Sequence, residues 1–366
     1  MPASCLRCGT AGLDGDVLCA ACQARLHALL AVRWLNRRPQ PDVAPRARPR
    51  FSAYGLAAAL GLVVLGLGLP RVLTPPEAAP IRPAGAWQVI AGERGEAVQF
   101  SSPLGMAADQ SGNLYVVDAA NHHVIKLGPD GRRVDIWGGR GSAPGEFERP
   151  SAITVDAIGN IYVADTANGR IQKLSPTGRP LAQWGAPGAL PGRFSAPRGI
   201  VVDPFGNVFV GDTGNERIQK LSADGQVLGV WGREGSAPGE FRQPWGLAVD
   251  GWGNLYVADH WNNRVQKFSP TGQPLAQWGG FGTGAGQFNN PRDVAVDRRG
   301  RVYVADSFNH RVQMLSPEGM PLAEWGGRGG SAGEFRRPEG LVIEDGGRLF
   351  VVDADNGRLQ RFIPAR

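Results

Sequence analysis

The sequence predicts an all-β fold, a six-bladed β-propeller, from three observations. An Asp closing a short apolar run recurs as Asp118, Asp165, Asp212, Asp259, Asp306 and Asp353, in steps of 47 residues. A Pro keeps the same step, at Pro103, Pro150, Pro197, Pro244, Pro291 and Pro338, and a Phe does so from Phe100 to Phe335. Within one unit, such as Gly246–Pro270, apolar residues alternate with period 2 between turn signals. A fixed period of about forty to fifty residues built from short strands marks a radial repeat array.

Ahead of the repeats the chain reads as four pieces. Residues 1–36 hold Cys5, Cys8, Cys19 and Cys22, two Cys-x2-Cys knuckles ten residues apart. Four thiolates at this spacing suit tetrahedral zinc, and so short a segment needs metal to supply most of its folding energy. The spacing resembles the zinc-ribbon modules at the N-termini of many bacterial membrane proteins. Leu26, Leu29, Leu30, Trp34 and Leu35 fall at helical spacing and predict a short amphipathic helix closing the module. Residues 37–50 form a basic linker whose four Pro exclude a continuous helix.

Residues 51–69, FSAYGLAAALGLVVLGLGL, are 19 residues without a charge, long enough to cross a bilayer as one helix. Arg37, Arg38, Arg46, Arg48 and Arg50 precede this span, while Arg71 and Arg82 alone follow closely. The positive-inside rule then predicts a cytoplasmic N-terminus and an extracytoplasmic repeat domain on a bacterial cytoplasmic membrane. Residues 70–85 carry five Pro and predict a semi-stiff spacer before the propeller, residues 86–366.

Charge narrows the partners. Residues 1–73 carry nine Arg against three Asp, a balance of +6; residues 74–366 carry 30 basic against 30 acidic residues, which is zero. A neutral repeat domain has no general attraction for nucleic acid. The repeats hold no Cys, so disulfides play no part in their stability.

In the unit 246–270, strands are predicted around Leu247–Val249, Leu255–Ala258, Val265–Phe268 and Leu275–Trp278, with turns at Gly253–Asn254, Trp261–Asn263 and Pro270–Gly272. The segments GLAVD, GNLYVAD and RVQKFSP resemble the NHL repeat, a likeness extending over residues 87–366. The family's namesake triplet survives weakly, as Asn121–His122–His123 and Asn309–His310–Arg311. The last unit ends after its third strand, so AWQVIAG (86–92) is expected to complete it in a 3+1 closure. Ile90 is expected to take the register of Trp137, Trp184, Trp231, Trp278 and Trp325.

Residues present in every blade read as scaffold, and function is expected where the repeat breaks. The residue after each Pro is Leu104, Ser151, Arg198, Trp245, Arg292 or Glu339. The residue two after each Asp is Ala120, Ala167, Gly214, Trp261, Phe308 or Asp355. Blades three to five thus gather Arg198, Trp245, His260, Trp261, Arg292 and Phe308 at one rim, a residue set suited to anchoring a protein or peptide. The sequence therefore predicts a membrane-anchored, non-catalytic binding or scaffold protein, sensor-like in arrangement, that recognises a protein, peptide or envelope ligand through the propeller face, with zinc as its cofactor. The resemblance also implies an alternative, since six-bladed relatives include lyases and metal-dependent lactonases with a metal in the channel. Asp293 and Glu339 are the candidate cation ligands, and the four propeller His, at 122, 123, 260 and 310, are not expected to converge. A ubiquitin-ligase-like or RNA-binding role, known for NHL proteins with zinc modules, is a further alternative that the predicted topology and neutral charge oppose.

Overall fold

Twenty-four strands form six antiparallel four-stranded sheets in a computed structural model that describes residues 81–92, 98–344 and 346–365. The predicted zinc ribbon with Cys5, Cys8, Cys19 and Cys22, the linker and the span 51–69 lie outside the described residues. Among the described residues no helix is long and apolar enough to cross a membrane.

Blade four shows why these letters make a blade. Its strands are Pro244–Val249, Leu255–Asp259, Arg264–Phe268 and Pro274–Gly279. The second strand is buried along its whole length, because both of its faces meet neighbouring blades. The fourth strand is mostly exposed on the outer circumference. Asp250 closes the first turn by accepting the N–H groups of Trp252 and Asn254, at 3.0 and 2.9 Å. The third turn needs Gly272, with φ of +84°: a Cβ there would sit 2.6 Å from the Trp231 ring of the preceding blade. That Gly–Trp contact recurs between blades as Gly178 on Trp137, Gly225 on Trp184 and Gly319 on Trp278. The core is accordingly a series of inter-blade clusters, each joining two sheets.

The ring closes as the strand count requires. Gly85–Ala91 pairs antiparallel with Arg358–Pro364, so the sixth sheet combines the first described strand with the last three. The expected register is wrong by one residue, however. Ala91, not Ile90, stands opposite Leu359, and a bulge falls between Val89 and Ala91. Trp87 stands opposite Phe362, and its ring packs 5.1 Å from Phe335 and 5.4 Å from Phe362. The other blades carry the same one-residue irregularity between their third and fourth strands, but beside the turn, whereas here it falls at the other end of the pair. Ile90 still packs in the cluster between blades six and one, and its carbonyl lies against Gly131 as the Trp rings lie against the other turn glycines.

The closing strand is thereby testable through Trp87. Trp87→Ala is expected to lower the unfolding free energy by about 3 kcal/mol in urea. A loss under about 1 kcal/mol would show that the N-terminal strand does not hold the ring shut.

Candidate functional site

The six first strands surround a central channel with a cavity of about 440 Å³. One mouth is ringed by the residues that follow the six Pro. Five of the six reach this position through an unusual entry: Arg149, Ala196, Gln243, Asn290 and Arg337, the residues before Pro150, Pro197, Pro244, Pro291 and Pro338, have φ of 44 to 57°. A residue before Pro normally lies in the extended region. Four of the five are held by the blade before them. The N–H groups of Arg149, Asn290 and Arg337 donate to His122 Nδ1, Asn263 Oδ1 and His310 Nδ1 at 3.0, 2.8 and 3.1 Å, and that of Gln243 donates to Glu216. His122 and His310 therefore share one register, four repeats apart, and both act as inter-blade clasps rather than channel ligands. His123 occupies the register that is Arg in the other blades and faces Asp118 at 4.0 Å.

At the mouth, five of the six predicted rim residues come together. The Trp245 ring stacks on His260 with centroids 4.4 Å apart and an interplanar angle of 8°. The guanidinium carbons of Arg198 and Arg292 lie 4.6 and 4.2 Å from the Trp245 centroid, within cation–π range. Arg292 also lies 5.7 Å from Phe308. Trp261 is not part of this stack. It is 56% exposed at the outer rim, its N–H bonded to the Arg242 carbonyl, and no ring contact joins it to Trp245 among the described residues.

His260 supports the site from behind. It is buried; Nδ1–H donates to the Pro291 carbonyl and Nε2 accepts from the Asn290 amide, both at 3.2 Å, an assignment that follows from the partners. Thr166, Thr213 and Ser307 make the same bond to the next blade's Pro carbonyl. His260 keeps that bond and adds a flat ring on which Trp245 rests. Burial pushes its pKa down to about 4, with Arg292 and Arg198 acting in the same direction, so the imidazole is neutral at pH 7.

The two candidate cation ligands are already occupied by protein donors. Asp293 Oδ1 and Oδ2 accept the N–H groups of Val294 and Leu341, at 2.9 and 2.8 Å. Glu339 is clamped by Arg292 and by Arg337, whose Nε is 3.2 Å away; Arg337 in turn reaches Asp355 at 2.7 Å. Among the described residues no group of three or more His, Cys, Asp or Glu is placed to hold a metal. What the mouth offers instead are unused donors. The Trp245 Nε1–H and Arg292 Nε–H are buried without a hydrogen-bond partner, and Arg198 makes no ion pair among the described residues. Buried donors of this kind cost stability unless a ligand accepts from them.

Burial pushes Asp293 up to about 7, against the pull of its two N–H donors and with the Glu339 charge adding to the rise; Glu339 is itself pushed up to about 7 by burial. Asp293 in an unfolded chain ionises near 4. The neutral form is thus favoured on folding, and the stability it contributes is present below pH 4 and lost as pH rises through 7. Asp293→Gly, matching Gly105, Gly199, Gly246 and Gly340 in other blades, is expected to flatten the fall in unfolding free energy between pH 4 and pH 8. An unchanged slope would place the titration elsewhere.

Comparison with known proteins agrees with this architecture. The NHL repeat model matches residues 100–127, 147–174, 241–268, 288–314 and 335–362, which lie in blades one, two, four, five and six. Comparison with curated proteins gives no match. Among solved structures, a streptogramin B lyase is similar at 14% identity and a TM-score of 0.54, over 76% of this chain and 97% of that one. A gluconolactonase from Xanthomonas campestris is similar at 15% identity and 0.56, over 78% and 96%. A putative gluconolactonase is similar at 16% identity and 0.57, over 79% and 97%. Likeness at these identities carries the fold alone. The chain is a six-bladed β-propeller with NHL repeats in five of its six blades.

Proposed function

We propose that the chain is a recognition module that binds an acidic segment of a protein or peptide at the channel mouth. The observation carrying this reading is the layered set Arg198–Trp245–Arg292–Phe308, with two buried donors, Trp245 Nε1–H and Arg292 Nε–H, that the protein itself leaves unpaired. A carboxylate entering the mouth would accept from these donors beside the two guanidinium groups that lie on the indole. Trp and Arg in a partly desolvated pocket are the residues that dominate protein recognition. His260 holds the indole in place, and Trp261 extends the contact at the rim. In this reading the ring is extracytoplasmic, anchored through residues 51–69, and the zinc held by Cys5, Cys8, Cys19 and Cys22 belongs to a cytoplasmic module.

A second reading, a channel enzyme, rests on Asp293 and Glu339, two buried carboxyls held near neutrality beside the channel. Metal analysis of the dialysed protein separates the two. Zinc above the one equivalent assigned to the four Cys, or another stoichiometric metal, would favour the enzyme.

The recognition reading is tested by crosslinking and capture from intact membranes with wild type and Trp245→Ala. The variant is expected to lose at least one captured partner, and a synthetic acidic peptide from that partner is expected to bind it at least about tenfold more weakly. Identical partner lists would sink the proposal.

A further inference from the structure

The face opposite the mouth carries a second departure from the repeat. It is formed by the turns joining each blade's first strand to its second. In blades two, three and four the tips of these turns are Ile158, Phe205 and Trp252, exposed by 80, 74 and 72%. They are equivalent positions, each 47 residues from the next. The turn has no use for these side chains. Its closure comes from Asp156, Asp203 and Asp250, which accept the tips' own N–H groups at 3.1, 2.9 and 3.0 Å. Ser111 and Arg299 fill the same position in blades one and five, over the same Asp bonds. Three neighbouring blades have therefore placed large apolar residues where a serine closes the turn equally well. Phe205 leans toward the next turn, with Cε2 3.6 Å from the Cβ position of Gly253.

We infer that this face rests on a lipid bilayer, with Ile158, Phe205 and Trp252 inserted at its interface. The three tips project separately from rigid turns at one height of the ring, a geometry that suits penetration of a soft surface. Blade five continues the row with exposed Arg298 and Arg299, and aromatic and cationic side chains together are the pairing favoured at headgroup depth. The path of the chain supplies a further argument. Gly85 enters the sheet opposite Pro364, at the end of blade six's third strand, and that end lies on this same face. Pro83 lines a cleft with Arg298, Arg299 and Gly346. The polypeptide thus joins the ring from the side bearing the apolar tips, and in sequence it comes from the uncharged stretch 51–69. Three tips alone give weak binding; a tether in the same membrane raises their effective concentration and fixes which way the ring faces. The mouth then points away from the bilayer. This inference rests on the reading of residues 51–69 as a membrane anchor and does not depend on what the mouth binds.

The test uses the full chain reconstituted in phosphatidylcholine–phosphatidylglycerol vesicles, with ordinary or acyl-brominated lipids. Bromine quenches tryptophan at short range, so subtracting the emission of Trp252→Phe isolates Trp252, and Trp261→Phe isolates Trp261 on the mouth side. Phe keeps the tip apolar, and both positions are exposed, so neither variant threatens the fold. The Trp252 emission is expected to fall about twofold or more in brominated lipid while the Trp261 emission is unchanged. Equal Trp252 emission in both lipids would overturn the inference, as would quenching of Trp261 instead. A concentration-dependent dimer that Trp252→Ser abolishes, without quenching, would assign the face to a second copy of the chain and equally overturn it.

Discussion

The ring depends on one buried carboxylate per blade. Asp259 is the pattern: Oδ1 accepts the N–H of Arg242, while Oδ2 accepts from Asn262, Arg264 and Gln266, at 2.7 to 3.1 Å. Those four donors come from the segment entering the blade, the loop after the second strand, and the third strand. Arg264 then donates its remaining N–H groups to Gln277 Oε1 and to the carbonyls of Ser236, Ala237 and Glu240, in the segment arriving from blade three. A carboxylate without solvent is expensive unless every lone pair is used and a cation is near. Here four donors and the Arg264 guanidinium offset that cost, so the same carboxylate that would be costly alone becomes the node fixing loop, strand and inter-blade link. Asp165, Asp212, Asp306 and Asp353 repeat it with Arg170, Arg217, Arg311 and Arg358. Blade one departs: His123 stands in place of the Arg, and Asp118 takes the N–H groups of both Ser101 and Ser102 instead.

Because the node satisfies the backbone, two positions per blade are free to vary from blade to blade. One follows the Pro and faces the channel mouth; the other tips the turn on the opposite face. The chain has specialised both. At the mouth a cationic and aromatic stack has formed across blades three to five, and on the far side an apolar row runs over blades two to four. Between them the ring is nearly regular, which gives a rigid body with two chemically different faces.

Much of this was legible in the sequence, for physical reasons. A 47-residue period with no insertion leaves one geometry for the ring, and a missing final strand leaves one way to close it. The rim cluster was legible because Arg198, Trp245 and Arg292 break an otherwise repeated column. The finer contacts were not. Trp261 is as large as Trp245, and only the three-dimensional path shows that His260, one residue earlier, turns inward to stack while Trp261 turns outward. The slip at Ile90 accompanies the seating of Trp87 on two Phe rings, a tertiary contact that periodicity does not encode. The clasp that makes His122 and His310 equivalent is filled by Glu216 and Asn263 in other blades, three residue types over four blades, so no single repeated letter announces it. The apolar tips did leave a signal, Ile158, Phe205 and Trp252 at equal steps. It is concealed by lying next to the Asp and Gly that make those positions look like ordinary turns.

In the proposed function, repeated letters build the ring while departures from them bind its partner. Two arginines of blade three test it, one of each kind. Arg217 is a node residue, bonded to Asp212 and to the carbonyls of Leu190 and Arg193; Arg198 is a departure, lying on Trp245 at the mouth. Unfolding free energy and partner capture per folded molecule are measured for Arg217→Ala and Arg198→Ala. Arg217→Ala is predicted to lose about 3 kcal/mol and to keep capture, while Arg198→Ala stays within about 1 kcal/mol of wild type and loses it. Capture lost in Arg217→Ala and kept in Arg198→Ala would contradict the account.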